Sequence, residues 1–405
     1  MKLLIIGAGD VGFQLTKRLS ADHNITLIEH DPQKAKRASE QLDAFVLEGH
    51  GGSYSLLRKA GIGKADIVAA MTNNDELNIL ICQMARRAGK ANTIARVRNH
   101  EYTLPDCLIP QNELADLVIH PEKETAAAVM RLIRQSAATD VIDLVDGKLQ
   151  LIGIRLDDTS PILRIPLREL VQRFDNRNIR IVTIHRRDRS TIPRGDDILS
   201  AGDQVFFLCK PQHQSDVISF TGKVKTDISN VMILGGGLVG QFIARDIGKN
   251  IHVKIVESNE DKAGEIADLL PRSLIIHGDG TDIDLLAVEG LMDMDAFISV
   301  TGSDETNIIS TLVARHLRVP RTIALVNTVE YMPVTTTIGM DAVVSKQLLT
   351  VNAVQRYIRQ HQIASIASIP GVDAQIIEFI AKERSKITRK PLREIGFPPH
   401  AIAGA

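Results

Sequence analysis

Tryptophan is absent from this 405-residue chain and aromatic residues make up only 3% of it, so there is little with which to build a base-stacking platform for single strands. Charge of one sign is lacking too. The 48 Lys and Arg residues stand against 49 Asp and Glu, and a formal net charge of −1 supplies no global pull toward nucleic acid or anionic lipid. The one dense basic run, His185-Arg186-Arg187-Asp188-Arg189, is short and reads as a solvated loop. Cys82, Cys107 and Cys209 follow no metal-ligand or redox spacing, the sparse pattern of a reduced cytosolic protein. No apolar run approaches the roughly 18 residues that a membrane-spanning helix needs. The chain enters a strand pattern at Lys2-Leu3-Leu4-Ile5-Ile6, so no signal peptide is expected, and any membrane link is expected to run through another protein.

Catalytic signatures are missing as well. There is no Tyr-x-x-x-Lys pair, no His-Glu-x-x-His, no Gly-x-Ser-x-Gly and no Walker A sequence; Gly61-Ile62-Gly63-Lys64 lacks the spacing and hydroxyl of a P-loop. A lone histidine at a strand end, such as His50, His120 or His277, is more often a hydrogen-bonding neighbour than a general base. No catalytic residue and no metal site is therefore assigned.

What is present is a duplication. Leu3-Leu4-Ile5-Ile6-Gly7-Ala8-Gly9-Asp10-Val11-Gly12 returns as Val231-Met232-Ile233-Leu234-Gly235-Gly236-Gly237-Leu238-Val239-Gly240. Glu29 returns as Glu257, Thr72–Asn78 as Thr301–Asn307, Ala95-Arg96-Val97 as Ala324-Leu325-Val326, and Ser160–Leu170 as Ser385–Ile395. Five matches in order at nearly constant spacing identify two copies of one unit. A chain this long also exceeds what one core usually serves.

Each copy opens with apolar strand runs alternating with helical patterns, the sign of a doubly wound parallel sheet; in the first copy the strands are 3–6, 25–29, 44–47, 67–70, 93–97 and 117–119. A second part follows, with β-like runs at 149–155, 179–185 and 204–208 around a helical stretch at 167–174. The expected fold class is α/β: two tandem Rossmann-like doubly wound parallel sheets, each followed by a small α+β module. The boundaries are 1–135 and 229–360 for the sheets, 140–220 for the first module and 365–405 for a partial second one. The spacing carries the second module past Ala405, so a chain cut short is expected, since missing strands would leave an unpaired edge.

Gly7, Gly9 and Gly12 follow a strand and open a helix, the context that gives Gly-x-Gly-x-x-Gly meaning: a tight turn, close approach of a pyrophosphate, and close helix–strand packing. The phosphates would rest on the helix N-terminus, at Ala8, Asp10 and Val11. Glu29, at the end of the second strand, would accept from a ribose diol and repel a 2′-phosphate, which favours NAD(H) over NADP(H). In the second copy Gly235, Gly237, Leu238, Val239, Gly240 and Glu257 take these places, with a nucleotide-free structural unit as the alternative. His50 and its counterpart Asp279 end the third strands, where Asp279 could accept from an adenine amino group. Thr72, Asn73 and Asp75, with Thr301 in the second copy, offer polar groups near ribose or phosphates; the same loop also reads as a capped helix start, and the two roles are compatible. Arg96 and Arg98 alternate with apolar neighbours on one face of the fifth strand, either as a phosphate clamp or as an ion-pair stripe, and the second copy has Leu325 and Asn327 there.

Two Gly-x-Gly-x-x-Gly units, each with an acidic second strand end, a Thr-x-x-Asp-Glu-x-Asn loop and a small module, resemble the TrkA family, with each half like an RCK (KTN) domain pair. Gly49-His50 and Ala95-Arg96-Val97-Arg98 resemble that family's variants of those segments. The resemblance implies a cytoplasmic, non-enzymatic regulatory subunit at the inner face of the cell membrane. It would form a homo-oligomer, a dimer or tetramer ring, docked on a potassium-translocating membrane subunit, with NAD (NADH or NAD+) in the first crevice and ATP or ADP as rivals. The alternative is an NAD-dependent oxidoreductase of unknown substrate, for which the segment after the first sheet is short as a substrate domain.

Overall fold

A computed structural model of the chain describes residues 1–104, 107–145, 147–174, 178–187, 189–224, 227–338, 340–358, 363–368, 375–379, 381, 383, 385–391, 394–396 and 401–403. They fall into two compact units, one made of Met1–Glu124 with Lys346–Arg359 and the other of Thr125–Ser345 with Gln360–Ala405.

The first unit alternates β1 (Lys2–Ile6), α1 (Asp10–Leu19), β2 (Asn24–Glu29), α2 (Pro32–Gln41), β3 (Phe45–Glu48), α3 (Tyr54–Lys59), β4 (Ile67–Ala70), α4 (Asp75–Ala88), β5 (Asn92–Arg96), α5 (Gln111–Leu114) and β6 (Leu117–Ile119), and ends in the first turn of α6 (Pro121–Arg134). The strands lie in the order β3-β2-β1-β4-β5-β6 and pair in parallel throughout. Strands covered on both faces must be apolar almost without interruption, as Ile67–Ala70 shows, with every residue buried. Alternate residues divide between two cores. Leu3, Ile5, Leu27, Ile67 and Ile94 face one layer with Leu15 and Leu19 of α1. Leu4, Ile6, Ile28, Val68 and Ala95 face the other with Ile81, Cys82 and Ala85 of α4. Local chemistry starts the helices: Asp31 accepts from the amides of Gln33 and Lys34 at 2.8 and 3.2 Å with Pro32 in the first position, and Asn74 accepts from Leu77 at the start of α4.

The second unit takes up the chain in α6 and continues with β7 (Asp140–Leu144), β8 (Leu149–Arg155), α7 (Leu167–Phe174), β9 (Ile179–Arg186), β10 (Arg189–Thr191), β11 (Gln204–Cys209) and α8 (Gln214–Thr221). Here the five strands form an antiparallel sheet in the order β10-β9-β11-β8-β7, around the fully buried Phe206 and Phe207. A second six-stranded sheet follows: β12 (Asn230–Leu234), α9 (Leu238–Ile247), β13 (His252–Glu257), α10 (Glu260–Leu269), β14 (Ser273–His277), α11 (Ile283–Val288), β15 (Ala296–Ser299), α12 (Asp304–His316), β16 (Arg321–Leu325), α13 (Met332–Thr337) and β17 (Ala342–Val344). Its order, β14-β13-β12-β15-β16-β17, is that of the first sheet and again wholly parallel.

Then α14 (Lys346–Ile358) belongs to the first unit, where Val351 and Val354 complete the core beside α1. Last come β18 (Ile363–Ser368) and β19 (Gln375–Phe379), an antiparallel pair in the second unit, with Ile376 against Leu144, Leu151 and Phe206. In the repeated segment Ser385–Ile395, residues 392 and 393 lie outside those described.

The α/β class and both doubly wound sheets are as the sequence predicts. The small module is larger than expected by β7, whose run Asp-Val-Ile-Asp-Leu carries charges at both ends of its apolar centre, and by β10, which has no apolar residue at all.

Candidate functional site

In each Rossmann sheet the strand order reverses between its first and fourth strands, and loops at the carboxyl ends open a crevice there. In the first unit Gly7 turns the chain at φ +100°, a conformation that side chains other than glycine resist. A Cβ on Gly12 would collide with the Gly7 carbonyl oxygen, so α1 lies against β1 only because that position is glycine. Gly9 meets nothing within 4 Å of where its Cβ would stand, which leaves space in front of the α1 N-terminus. Ala8 and Val11 are buried beside it and Asp10 is exposed.

Glu29 is only 4% exposed and already occupied. Its Oε2 accepts from the Ala8 amide at 2.5 Å, and its Oε1 from the amides of His30 and Asp31 at 2.8 and 2.9 Å. The carboxylate thus locks the glycine loop to the end of β2; His30 Nδ1 also lies 2.9 Å from Oε1, and the position left for a ribose hydroxyl is on Oε2. His50 is exposed after β3, and its Nδ1 accepts from the Gly52 amide at 3.2 Å.

The Thr72–Asn78 segment is first of all a clasp. Asn78, fully buried, accepts at Oδ1 from the Thr72 amide and hydroxyl at 3.0 and 2.7 Å. Its Nδ2 donates to the carbonyls of Thr72 and Arg96 at 3.1 and 2.8 Å, tying the end of β4 to the end of β5. Asp75 accepts from the amides of Arg98 and Asn99 at 2.8 and 2.7 Å. Asn73, exposed like Asn74 and Glu76, turns to a cation, accepting from Arg96 Nη1 at 2.9 Å.

The two arginines do not share a strand face, because β5 ends at Arg96. Arg96 is 9% exposed, with no hydrogen bond to its Nε, and burial pushes its guanidinium below the ordinary value against the pull of Glu122, Asp75 and Asp10. Arg98 lies beyond the strand, exposed, with Nε 3.8 Å from Glu122. Glu122, in the first turn of α6, is 4% exposed and also lies 3.5 Å from Lys346 Nζ and 3.6 Å from His120 Nδ1. Burial holds His120 below its usual value, opposed by Glu122. The sequence reading misses Glu122 and Lys346, since no local pattern joins two residues so far apart in the chain.

The second crevice repeats the scaffold. Gly235 turns at φ +108°, Gly237 faces open space, and a Cβ on Gly240 would strike the Gly235 carbonyl. Leu238 and Val239 open α9. Asn307 binds Thr301 and the Leu325 carbonyl as Asn78 binds Thr72 and that of Arg96. Asp304 accepts from the amides of Asn327 and Thr328 as Asp75 does from Arg98 and Asn99. The charges differ. Glu257 accepts from the Gly236 and Asn259 amides at 3.0 and 3.1 Å and also from the Lys262 ammonium. Burial acts to raise the Glu257 carboxyl, but Lys262 and those amides outweigh it and hold it below the usual range. Asp279, exposed, is turned onto the Thr281 amide and hydroxyl, both at 2.8 Å, and these lower its carboxyl.

Among the described residues no group of three or more His, Cys, Asp or Glu side chains could hold a metal ion, and no helix is long and apolar enough to cross a membrane.

The fold and the crevices define a class: a duplicated Rossmann-type protein in which a glycine loop, a buried acidic strand end and an Asn clasp occur twice. The TrkA-N domain family matches residues 3–121 and 231–346, and the TrkA-C domain family matches residues 151–222. The chain belongs to the TrkA family. The Trk system potassium uptake protein TrkA homolog 1 of Methanosarcina mazei is 33% identical over 411 residues, covering 99% of this chain and 91% of the relative. Among solved structures, the GsuK channel bound to NAD superposes with a TM-score of 0.64 at 21% identity, over 89% of this chain and 64% of that one. GsuK bound to ADP gives 0.56 at 17% identity, over 89% and 69%. At such identities the two structures speak for the fold.

Proposed function

We propose that the chain is a nucleotide-sensing regulatory subunit of a potassium uptake system and not an enzyme. It binds NADH or NAD+ in the first crevice, with ADP and ATP as competitors for the same phosphate positions. The observation that carries this reading is the pairing, at the carboxyl edge of one sheet, of an open glycine-loop helix start after β1 with Arg96 and Arg98 at and just beyond the end of β5, two strands along. Helix N-termini and arginines both favour phosphate, and the orphaned Nε of Arg96 has a donor to spare. The proposed ligand set is Gly7, Ala8, Gly9, Asp10, Val11 and Gly12 at the phosphates and Glu29 at the ribose. His50, Thr72, Asn73 and Asp75 line the rim, with Arg96 and Arg98 as the anion clamp. In the second crevice the corresponding set is Gly235, Gly237, Leu238, Val239, Gly240, Glu257, Asp279 and Thr301.

A potassium-translocating membrane subunit is the partner in this reading, with the chain assembled as a ring of like subunits against its cytoplasmic face. The names of the relatives and the channel structures of like fold support that assignment. The functional division follows the sequence: sheets at 1–135 and 229–360, modules at 140–220 and 365–405. Gating requires that nucleotide bind one conformation of the ring better than another, because a ligand with equal affinity for both shifts nothing.

The test is rubidium uptake in cells that lack their own peripheral Trk subunit and express this chain, run beside NADH titration of the purified protein. Restored uptake that is lost in Gly12→Val, together with loss of NADH binding, is the expected result. Uptake indifferent to the crevice variant, or NADH turnover with a small carbonyl substrate, would remove the regulatory reading.

A further inference from the structure

Glu122 is a buried carboxylate that no part of the nucleotide scaffold uses. It is 4% exposed, and its Oε2 meets no hydrogen-bond donor. Its Oε1 stands 3.8 Å from Arg98 Nε and 3.5 Å from Lys346 Nζ, and Oε2 lies 3.6 Å from His120 Nδ1. None of these is the roughly 2.7–2.9 Å contact of a committed charge-assisted hydrogen bond. A carboxylate withdrawn from water and loosely faced by cations is a costly arrangement, and it gives those cations reason to take a better anion.

The cations are placed for one. Arg96 feels Glu122 and Asp10 together, so the charge group reaches from the first turn of α1, at the glycine loop, to the first turn of α6. Lys346 is the first residue of α14, the helix that belongs to the first unit although it follows the second sheet in the chain. Lys346 and Arg98 face the same oxygen of Glu122, a separation that one terminal phosphate group can span.

We propose that Lys346 is a phosphate-binding residue of the first crevice and that Glu122 is its internal counter-ion, holding Lys346 and Arg98 until the terminal phosphate of a nucleoside di- or triphosphate replaces it. The inference rests on the reading of the first crevice as a nucleotide site. It adds a discrimination. ADP and ATP present a terminal phosphate with three free oxygens, whereas the pyrophosphate of NADH is esterified at both ends and has no such group. Lys346 therefore favours the mononucleotides over the dinucleotide, and Glu122, a like charge beside the arriving phosphate, opposes them until its cations are drawn away. Because Lys346 opens α14, occupancy of the crevice also bears on how the first turn of that helix is seated.

The experiment is calorimetric titration of the intact chain with ADP, ATP, NADH and adenosine at low and moderate salt. Lys346→Gln is expected to weaken ADP and ATP about tenfold, the loss of one charge-assisted contact, while NADH and adenosine change by less than about threefold. Lys346→Arg should recover most of the loss. Glu122→Gln is expected to move the other way, tightening ADP several-fold by removing the competing charge. That opposite sign holds independently of whether Lys346→Gln folds well. The proposal fails if Lys346→Gln binds ADP as the parent does. It fails equally if ADP and NADH weaken together, the mark of a merely structural lysine, or if Glu122→Gln weakens ADP. A parent chain that binds none of the four ligands would instead overturn the crevice reading beneath it.

Discussion

At the end of β4 the Asn78 amide ties Thr72 to the Arg96 carbonyl, and at the end of β15 Asn307 ties Thr301 to that of Leu325. Asp116 and Asp341 accept from the amide and hydroxyl of Thr93 and Thr322 in the same way. Tyr102 donates to Glu76 as Tyr331 does to Glu305. Around these shared contacts the charges part company: Arg96 and Arg98 against Leu325 and Asn327, Asp10 against Leu238, and a Glu29 filled by amides against a Glu257 that also holds Lys262. A duplicated chain is its own control. What both copies keep with the same hydrogen bonds is needed to hold the turns at the strand ends, and what only one copy has is free to serve a ligand.

The largest test of that division is the clasp. Asn78→Leu strips partners from three backbone groups and one hydroxyl, and Asn307→Leu from three backbone groups and two hydroxyls, in a buried setting, so each is expected to cost about 3–4 kcal/mol in chemical denaturation. Similar losses in both would confirm that the asparagine is scaffold. A loss confined to one copy would break the symmetry on which the comparison stands.

The scaffold was legible in the sequence and its reasons were not. Buried parallel strands must be apolar, so runs such as Ile67–Ala70 announce themselves, and the glycines that fix the turns recur at constant spacing. The Thr72–Asn78 motif was visible too, but a string of polar residues reads equally as ligand groups or as a cap, and only the contacts of Asn78 and Asp75 show both ends of the loop spent on backbone. Arg98 looked like a strand residue because alternation persists one step past the point where pairing stops. The meeting of Glu122 with Lys346 is tertiary, and helical periodicity says that α14 has an apolar face without saying which sheet it covers.

A second asymmetry lies at the start of β16, where Arg321 replaces the Asn92 that starts β5. Arg321 donates to the Ala138 carbonyl, and a nearby pocket within the second unit is lined by Thr139, Asp140, Arg155, Gln204 and Asp341 together with apolar residues such as Met332 and Met340. Asp140 accepts from Thr139 and Gln204 at 2.8 and 2.7 Å. Burial nevertheless pushes its carboxyl up to about 6, against the pull of those bonds and of Arg155 and Arg321. A pKa raised by folding means that the native state holds this proton more tightly. The stability it brings is complete below the unfolded value near 4 and is lost as pH rises through about 6. Asp140→Asn is therefore expected to stabilise the chain by about 2–3 kcal/mol at pH 7 and to change little at pH 4. Thermal melts of the two proteins against pH should converge on the acid side. Curves that stay parallel would show that Asp140 titrates normally and that this pocket is no special feature of the second sheet.

The finest distinction is between the two acidic strand ends. Glu29 carries three backbone amides, with His30 Nδ1 also 2.9 Å from its Oε1, and keeps an open position on Oε2, while Glu257 has two amides and an ammonium that a ribose hydroxyl would have to displace. Glutamine at either position keeps the shape and one acceptor oxygen, but forfeits the charge and turns the second oxygen into a donor that faces a backbone amide. Glu29→Gln is therefore expected to weaken NADH by about 1 kcal/mol, roughly fivefold, and Glu257→Gln to leave the NADH titration unchanged. If Lys262 is what closes the second crevice, Lys262→Gln should add a second, weaker binding step that Glu29→Gln does not touch. Equal losses from the two glutamine variants would mean that both crevices take the dinucleotide. The ammonium on Glu257 would then be a rotamer that yields to ligand, and the difference between the halves would reduce to their arginines.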